Sequence, residues 1–197
     1  MIGKKQLYVV GLVCIVGVGV YLLPKQPKSV RENVPTDIDH AEHSKIDRAV
    51  SLVQSGSNPM EGIMLLREVL AEDSTNIEAL LYLGLFSVQS GQLEKARERF
   101  QTILSYDSDH LDAHWQLGQL DFDAEDFSSS AEHFSVCASS GIQEYENAWF
   151  FMGRAKELLG DNPGALEAYM AFRPLTEDTV IIKRLDEFIT RLDNNIK

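Results

Sequence analysis

His133 and Cys137 stand four residues apart, and so do His110 and His114. On a helix that spacing puts both members of a pair on one face. A Cys–His pair so placed can act as nucleophile and base, and two histidines can share a metal ion. A third set, Asp121, Asp123, Glu125 and Glu132, has spacings close to those of a calcium loop. The histidine pair lacks a third ligand, and His110 falls where a helix should start. The acidic set has Asp126 where a calcium loop needs its turn glycine, and reads as solvated acids in a turn between helices. No phosphate loop, dinucleotide fingerprint, nucleophile elbow or zinc-ligand cluster occurs in the chain. The expectation is therefore no catalytic residue, no cofactor and no metal. An enzyme built on His133 and Cys137 is the alternative to test.

The chain that must position these residues has 197 residues, 44% hydrophobic and 24% charged, with 13 Gly and 6 Pro. That suits one folded domain and excludes a disordered or linker protein. The net charge of -12 repels nucleic acid, so no nucleic-acid partner is expected. Two cysteines, Cys14 and Cys137, are too few for a disulfide framework.

Charge is uneven. Residues 1–40 hold five basic and three acidic side chains, which leaves -14 on the remainder. Leu7 to Leu23 is an unbroken run without a charge, flanked by Lys5 and Lys25. Its length falls at the short end of the roughly 17–25 residues that span a bilayer. Tyr8 and Tyr21 lie near its ends, where amphipathic rings prefer the membrane interface. Residues 1–24 are thus expected to form a single transmembrane signal-anchor helix closed by Pro24, and residues 25–36 an extended tether. Cleavage would need a small-x-small site, to which only Gly17-Val18-Gly19 comes near. Lipidation at Cys14 would need a small residue where Val13 stands. Basic residues lie on both sides of the span, so they do not fix its orientation. The acidic bulk that follows is expected outside the cytoplasm.

From about residue 37 the pattern is helical, and the alternating runs and Asn-Gly or Asp-Gly turns of strands are missing. Leu83-Gly84 recurs as Leu117-Gly118 and again as Met152-Gly153. Phe100 recurs as Phe134 and Tyr169, Ala96 as Ser130 and Ala165, and Gly91 as Glu125 and Gly160. A fainter copy upstream aligns Gly62, Leu66 and Leu70 with Ala96, Phe100 and Leu104, and has Ala49-Val50 at the Leu-Gly slot. This pattern, with its period of about 34, resembles the tetratricopeptide repeat (TPR) family. The resemblance implies an all-α solenoid of helix-turn-helix units over residues 37–175. Its repeats would fall at about 43–76 (degenerate), 77–110, 111–145 and 146–175. Residues 176–197 would form a capping helix, opened by Thr176, and a tail. Asn58-Pro59 and Asn162-Pro163 read as caps before first-turn prolines. Cys137 occupies a second-helix slot where the family packs a small residue, which implies a buried, inert thiol.

In that family the first helix of each pair lines a groove for a peptide or partner helix. The resemblance places Leu81, Tyr82, Leu85 and Val88 there, then Trp115, Gln119 and Phe122, then Phe150, Phe151, Arg154 and Leu158. Each aromatic among them could equally pack between repeats. Family members that clamp acidic chaperone tails carry a Lys/Asn/Arg groove. Here those sites hold Leu81, Leu85, Trp115 and Gln119, so a hydrophobic or basic protein segment is the expected partner. Anchor and repeats together resemble bacterial inner-membrane proteins with a periplasmic TPR domain, including assembly factors for cytochrome c or outer-envelope complexes. A mitochondrial outer-membrane receptor facing the cytosol is the alternative. Partner identity and oligomeric state are not legible.

Overall fold

The computed structural model describes residues 37–196, with side chains from residue 43. The membrane helix and tether expected over residues 1–36 lie outside the described residues. Among the described residues no helix is long and apolar enough to cross a membrane.

Nine α-helices follow one another there: α1 (Asp37–Gln54), α2 (Pro59–Glu72), α3 (Ile77–Gln89), α4 (Leu93–Tyr106), α5 (Leu111–Asp123), α6 (Phe127–Ser139), α7 (Ala148–Leu158), α8 (Asn162–Phe172) and α9 (Thr179–Ile196). A 3-10 turn, Gln143–Tyr145, precedes α7. No strand occurs among the described residues. Each helix packs on its chain neighbours, and α1 also touches α3. Such nearest-neighbour packing is how a solenoid builds a core that no single helix pair could enclose.

Side-chain caps set the helix starts. Asn76 accepts from the Ala79 N–H at 2.9 Å, His110 Nδ1 from Ala113 at 3.3 Å, and Asp126 from Ser129 at 3.2 Å. Each satisfies a first-turn N–H that has no partner within the helix. Asn58 caps α2 as expected. Two expected caps shift. Asp161, not Asn162, accepts from Gly164 at 3.0 Å, so Pro163 sits one place further into α8. Asp178, not Thr176, takes the N–H groups of Val180 and Ile181, and α9 begins three residues later than expected. A carboxylate accepts these bonds more strongly than the amide or hydroxyl nearby.

The repeating Gly–aromatic pair is the crossing point of each helix hairpin. A Cβ on Gly84 would lie 2.5 Å from the Phe100 ring, one on Gly153 2.7 Å from Tyr169, and one on Gly118 3.1 Å from Phe134. All three rings are fully buried. The first pair solves the same crossing from the other side. There the small residue is Gly62 on α2, and a Cβ on it would lie 2.5 Å from the Ala49 carbonyl of α1. That explains why the Leu-Gly slot is filled by Ala49-Val50.

The hairpin loops repeat as well. Gln92, Asp126 and Asp161 donate backbone N–H to Ser87, Asp121 and Lys156 at 2.8, 2.9 and 2.9 Å, each closing the end of a first helix. That closure needs a left-handed residue just before the donor. Gly91 and Gly160 supply it at φ 73° and 81°, whereas the middle loop uses Glu125 at φ 61°. A side chain there crowds its own carbonyl at a cost of about 1 kcal/mol or more. Glu125→Gly is therefore expected to stabilise the protein by roughly 0.5–1 kcal/mol after the added freedom of the unfolded chain is subtracted. Urea denaturation at neutral pH checks this, and a less stable variant would contradict it.

α9 covers the last hairpin. Leu185 and Leu192 bury against Ala165, Tyr169 and Phe172. Phe188 stacks on Tyr169 with ring centres 5.5 Å apart, and Arg154 and Arg191 lie over the Phe188 ring at 5.6 and 5.1 Å. Glu157 gathers this end by accepting from Arg154, Tyr169 and Arg191. The outer face of α9 carries the exposed Lys183, Arg184 and Glu187, so it closes the solenoid with a solvated surface.

Candidate functional site

The structure separates the residues that could do chemistry. Cys137 is 1% exposed, and its thiol points at the Leu111 carbonyl at 3.4 Å. Burial, reinforced by the Asp112 carboxylate, pushes the thiol up to about 12, so the thiolate is inaccessible at neutral pH. His133 turns away from it. Its Nδ1 lies 2.8 Å from Nδ1 of His114, and its Nε2 faces Asp121 at 3.6 Å. The pair is thus not arranged as nucleophile and base.

His110 and His114 also part company: the first caps α5, the second is buried against His133. His114 Nε2 lies 2.9 Å from the Ser108 carbonyl, which can only accept, so that nitrogen carries the hydrogen. The two Nδ1 atoms then share a hydrogen bond. Burial and the neighbouring His114 hold the His133 pKa below its ordinary value, against the pull of Asp121. Asp121 corrects the reading of solvated turn acids. It is 3% exposed and takes an ion pair from Arg97 of the preceding hairpin. Asp123, Glu125 and Glu132 are exposed as expected. Among the described residues no group of three or more His, Cys, Asp or Glu is placed to hold a metal ion.

The expected groove residues divide by slot. Leu81, Trp115 and Phe150 share one position in three successive first helices. Leu81 is 4% and Trp115 0% exposed. Trp115 meets Phe134, Phe151 and Tyr145 with ring centres 5.5, 5.6 and 6.1 Å away. Phe150 is half-buried against Tyr169 and Phe172 at 6.0 and 6.1 Å, and Phe151 stacks on Phe134 at 5.3 Å. These side chains bond repeat to repeat, so Leu81, Trp115 and Phe151 are corrected from groove to core. Arg154 is engaged by Glu157 and Phe188. Leu158 is exposed at 47% beside the α7–α8 loop.

Tyr82, Leu85, Val88, Gln119 and Phe122 are half-buried on α3 and α5. Leu85 and Gln119 are equivalent positions one repeat apart, as are Val88 and Phe122. Phe122 rests edge-on against Phe127 at 5.4 Å. The amide nitrogen of Gln119 is buried without a hydrogen-bond partner among the described residues. Three carboxylates surround Tyr82. After burial itself, Glu78, Asp47 and Asp112 raise its hydroxyl pKa. Asp112 is held by the Tyr145 hydroxyl at 2.6 Å and Glu78 by His43 at 3.2 Å. Reading single helices missed this set. The available signal was that Glu78 and Asp112 occupy the same slot in successive repeats. The first-helix face thus combines a half-buried aromatic and aliphatic strip with carboxylates from α1, α3 and α5.

Residues 57–120 match the sequence model of the tetratricopeptide repeat family. No curated protein matches the chain. Among solved structures, a crystal structure of MamA is similar at 19% identity over 80% of this chain and 87% of that one, with a TM-score of 0.65. MamA from Desulfovibrio magneticus RS-1 is similar at 15% identity over 78% of this chain and 93% of the solved chain, TM-score 0.63. A tetratricopeptide repeat protein from Parabacteroides merdae reaches TM-score 0.67 at 14% identity, over 79% of this chain and 61% of that one. Matched segment, Gly–aromatic crossings and shared architecture agree: residues 57–120 carry the tetratricopeptide repeat pattern, and the described residues form an all-α, tetratricopeptide-repeat-like solenoid.

Proposed function

We propose that this protein is a non-catalytic adaptor that holds a partner segment on the first-helix face. The observation that supports it is the strip in which Leu85 and Val88 stand in repeat register with Gln119 and Phe122, with Tyr82 beside it bordered by Asp47, Glu78 and Asp112. Half-buried aromatics give a binding surface its anchors, and the surrounding carboxylates favour a partner that carries lysine or arginine beside apolar residues. We further propose that Leu7 to Leu23 anchors the chain in a membrane. The adaptor would then work at a membrane surface, in the assembly of an envelope complex with the repeat domain outside the cytoplasm.

Photo-crosslinking amino acids placed at Tyr82, at Phe122 and at the exposed Glu98 of α4, in the full-length chain in its native membrane, test this. The expected result is one shared adduct at Tyr82 and Phe122, weakened by salt and absent at Glu98. Adducts at Glu98 with none at the two inner positions would overturn the reading. Protease added to intact and to permeabilised cells tests the topology in the same strain.

A further inference from the structure

A second cleft lies apart from the first-helix face, between the first two hairpins. Ile63 and Arg67 of α2 line it, with Ser87 of α3, Gln92 of the loop and Arg99 of α4. Arg99 is half-buried, and its guanidinium donates to Ser87 Oγ at 2.5 Å and to the Lys95 carbonyl at 3.3 Å. Burial lowers its pKa, and the like charge of Arg67 lowers it further, while Glu98 on the same helix opposes both. Among the described residues neither Arg67 nor Arg99 forms an ion pair. Two arginines lining one cleft with no ion-paired carboxylate are unexpected in a chain with 30 acidic side chains.

The next layer of the same solenoid supplies the control. One repeat further on, Asp121 replaces Ser87, His133 replaces Arg99, and Gln101 replaces Arg67. That layer carries its own buried carboxylate, paired with Arg97 and facing His133. The first layer has two permanent cations and a hydroxyl where the second has an anion. Its cleft holds about 40 Å³, against roughly 10–15 Å³ for one water molecule. Arg67, Gln92 and neighbouring Ser90 form an exposed rim through which a small ion can enter.

We infer that this cleft binds a phosphate-class oxyanion, with Arg67 and Arg99 as its two charged donors and the Ser87 hydroxyl on its floor. Two guanidinium forks match the charge and the several oxygens of a dianion, and most of their N–H groups are uncommitted in the structure. Ser87 Oγ already accepts from Arg99, so its own O–H can donate to the bound ion.

The test uses the full-length chain in a non-ionic detergent. Inorganic phosphate is titrated against sodium chloride of equal ionic strength, with thermal unfolding and calorimetry as readouts. The expected result is a saturable rise in Tm with phosphate alone. Arg67→Gln, at the exposed rim, should weaken the affinity at least about tenfold without loss of fold, and Arg99→Gln should do the same. Ser87→Asp restores the carboxylate of the next layer. It should raise Tm in the absence of phosphate and abolish the phosphate effect. O-phosphoserine in a parallel titration separates the two sources of the group: tighter binding than inorganic phosphate assigns a phosphomonoester, weaker binding the free ion. Equal responses to phosphate and chloride, or a phosphate response unchanged in Arg67→Gln and Ser87→Asp, would overturn the inference.

Discussion

Trp115→Ala is expected to destabilise the protein by about 3–5 kcal/mol, the range for removing a large buried aromatic. The indole is fully buried where α5, α6 and α7 meet, edge-on to both Phe134 and Phe151. Its Nε1 has no hydrogen-bond partner among the described residues, so truncation leaves no acceptor unpaired and the loss is one of packing. The cavity would open between two hairpins, and a solenoid is only as cooperative as the contacts between its layers. The variant should therefore unfold at lower urea and with a broader transition. Trp115→Phe, which retains part of the contact, should lose less than half as much. Phe122→Ala, at a half-buried site beside Phe127, should cost only about 1 kcal/mol. Urea titrations followed by circular dichroism check the order. A Trp115→Ala loss no larger than that of Phe122→Ala would place the indole outside the core after all. The contrast also decides which variants can report on partner binding: Phe122 and Tyr82 can be changed without dismantling the fold, and Trp115 cannot.

The same residue shows what the sequence can and cannot carry. The repeat period locates a slot along a helix, and the Gly–aromatic pairs were legible because their spacing is rigid. The period does not say which way a slot points. Successive residues are rotated by roughly 100° around a helix, so Leu81 and Tyr82, neighbours in the chain, face the core and the partially open strip respectively. Asp121 was misread for a related reason. Its partner Arg97 lies on another helix, and no local pattern distinguishes a turn acid from one whose counter-charge arrives from the previous hairpin. Cys137, by contrast, was legible because its slot demands a small buried side chain whatever the neighbours are. The unmatched cations of the first layer were visible only by setting Ser87 against Asp121. That comparison gains meaning once each is known to lie between its own second helix and that of the preceding hairpin.

The three crossing glycines should respond unequally to the same substitution. Gly→Ala inside a helix gains up to about 1 kcal/mol from the stiffer backbone. Against this stands the space beside the ring. At Gly84 the new methyl would meet Phe100 Cε1 at 2.5 Å and Cζ at 2.8 Å, and that ring is fully buried with nowhere to retreat. Overpacking of this kind costs typically about 1–3 kcal/mol and more where backbone must move, so Gly84→Ala should lose about 2 kcal/mol net. At Gly118 the nearest ring atoms stand at 3.1 Å, and a shift of a few tenths of an ångström suffices. Gly118→Ala should fall within about 0.5 kcal/mol of the parent, the helix gain offsetting the strain. Gly153→Ala belongs with Gly84. Its gap is 2.7 Å, and the hydroxyl of Tyr169 is held by Glu157 at 2.9 Å, which resists any withdrawal of the ring. Phe100→Leu combined with Gly84→Ala should recover part of the loss, because the smaller side chain returns the space the methyl takes. Chemical denaturation of the single and double variants measures the series. Equal losses at all three glycines would mean that the crossings are set by the helix backbones and not by the rings.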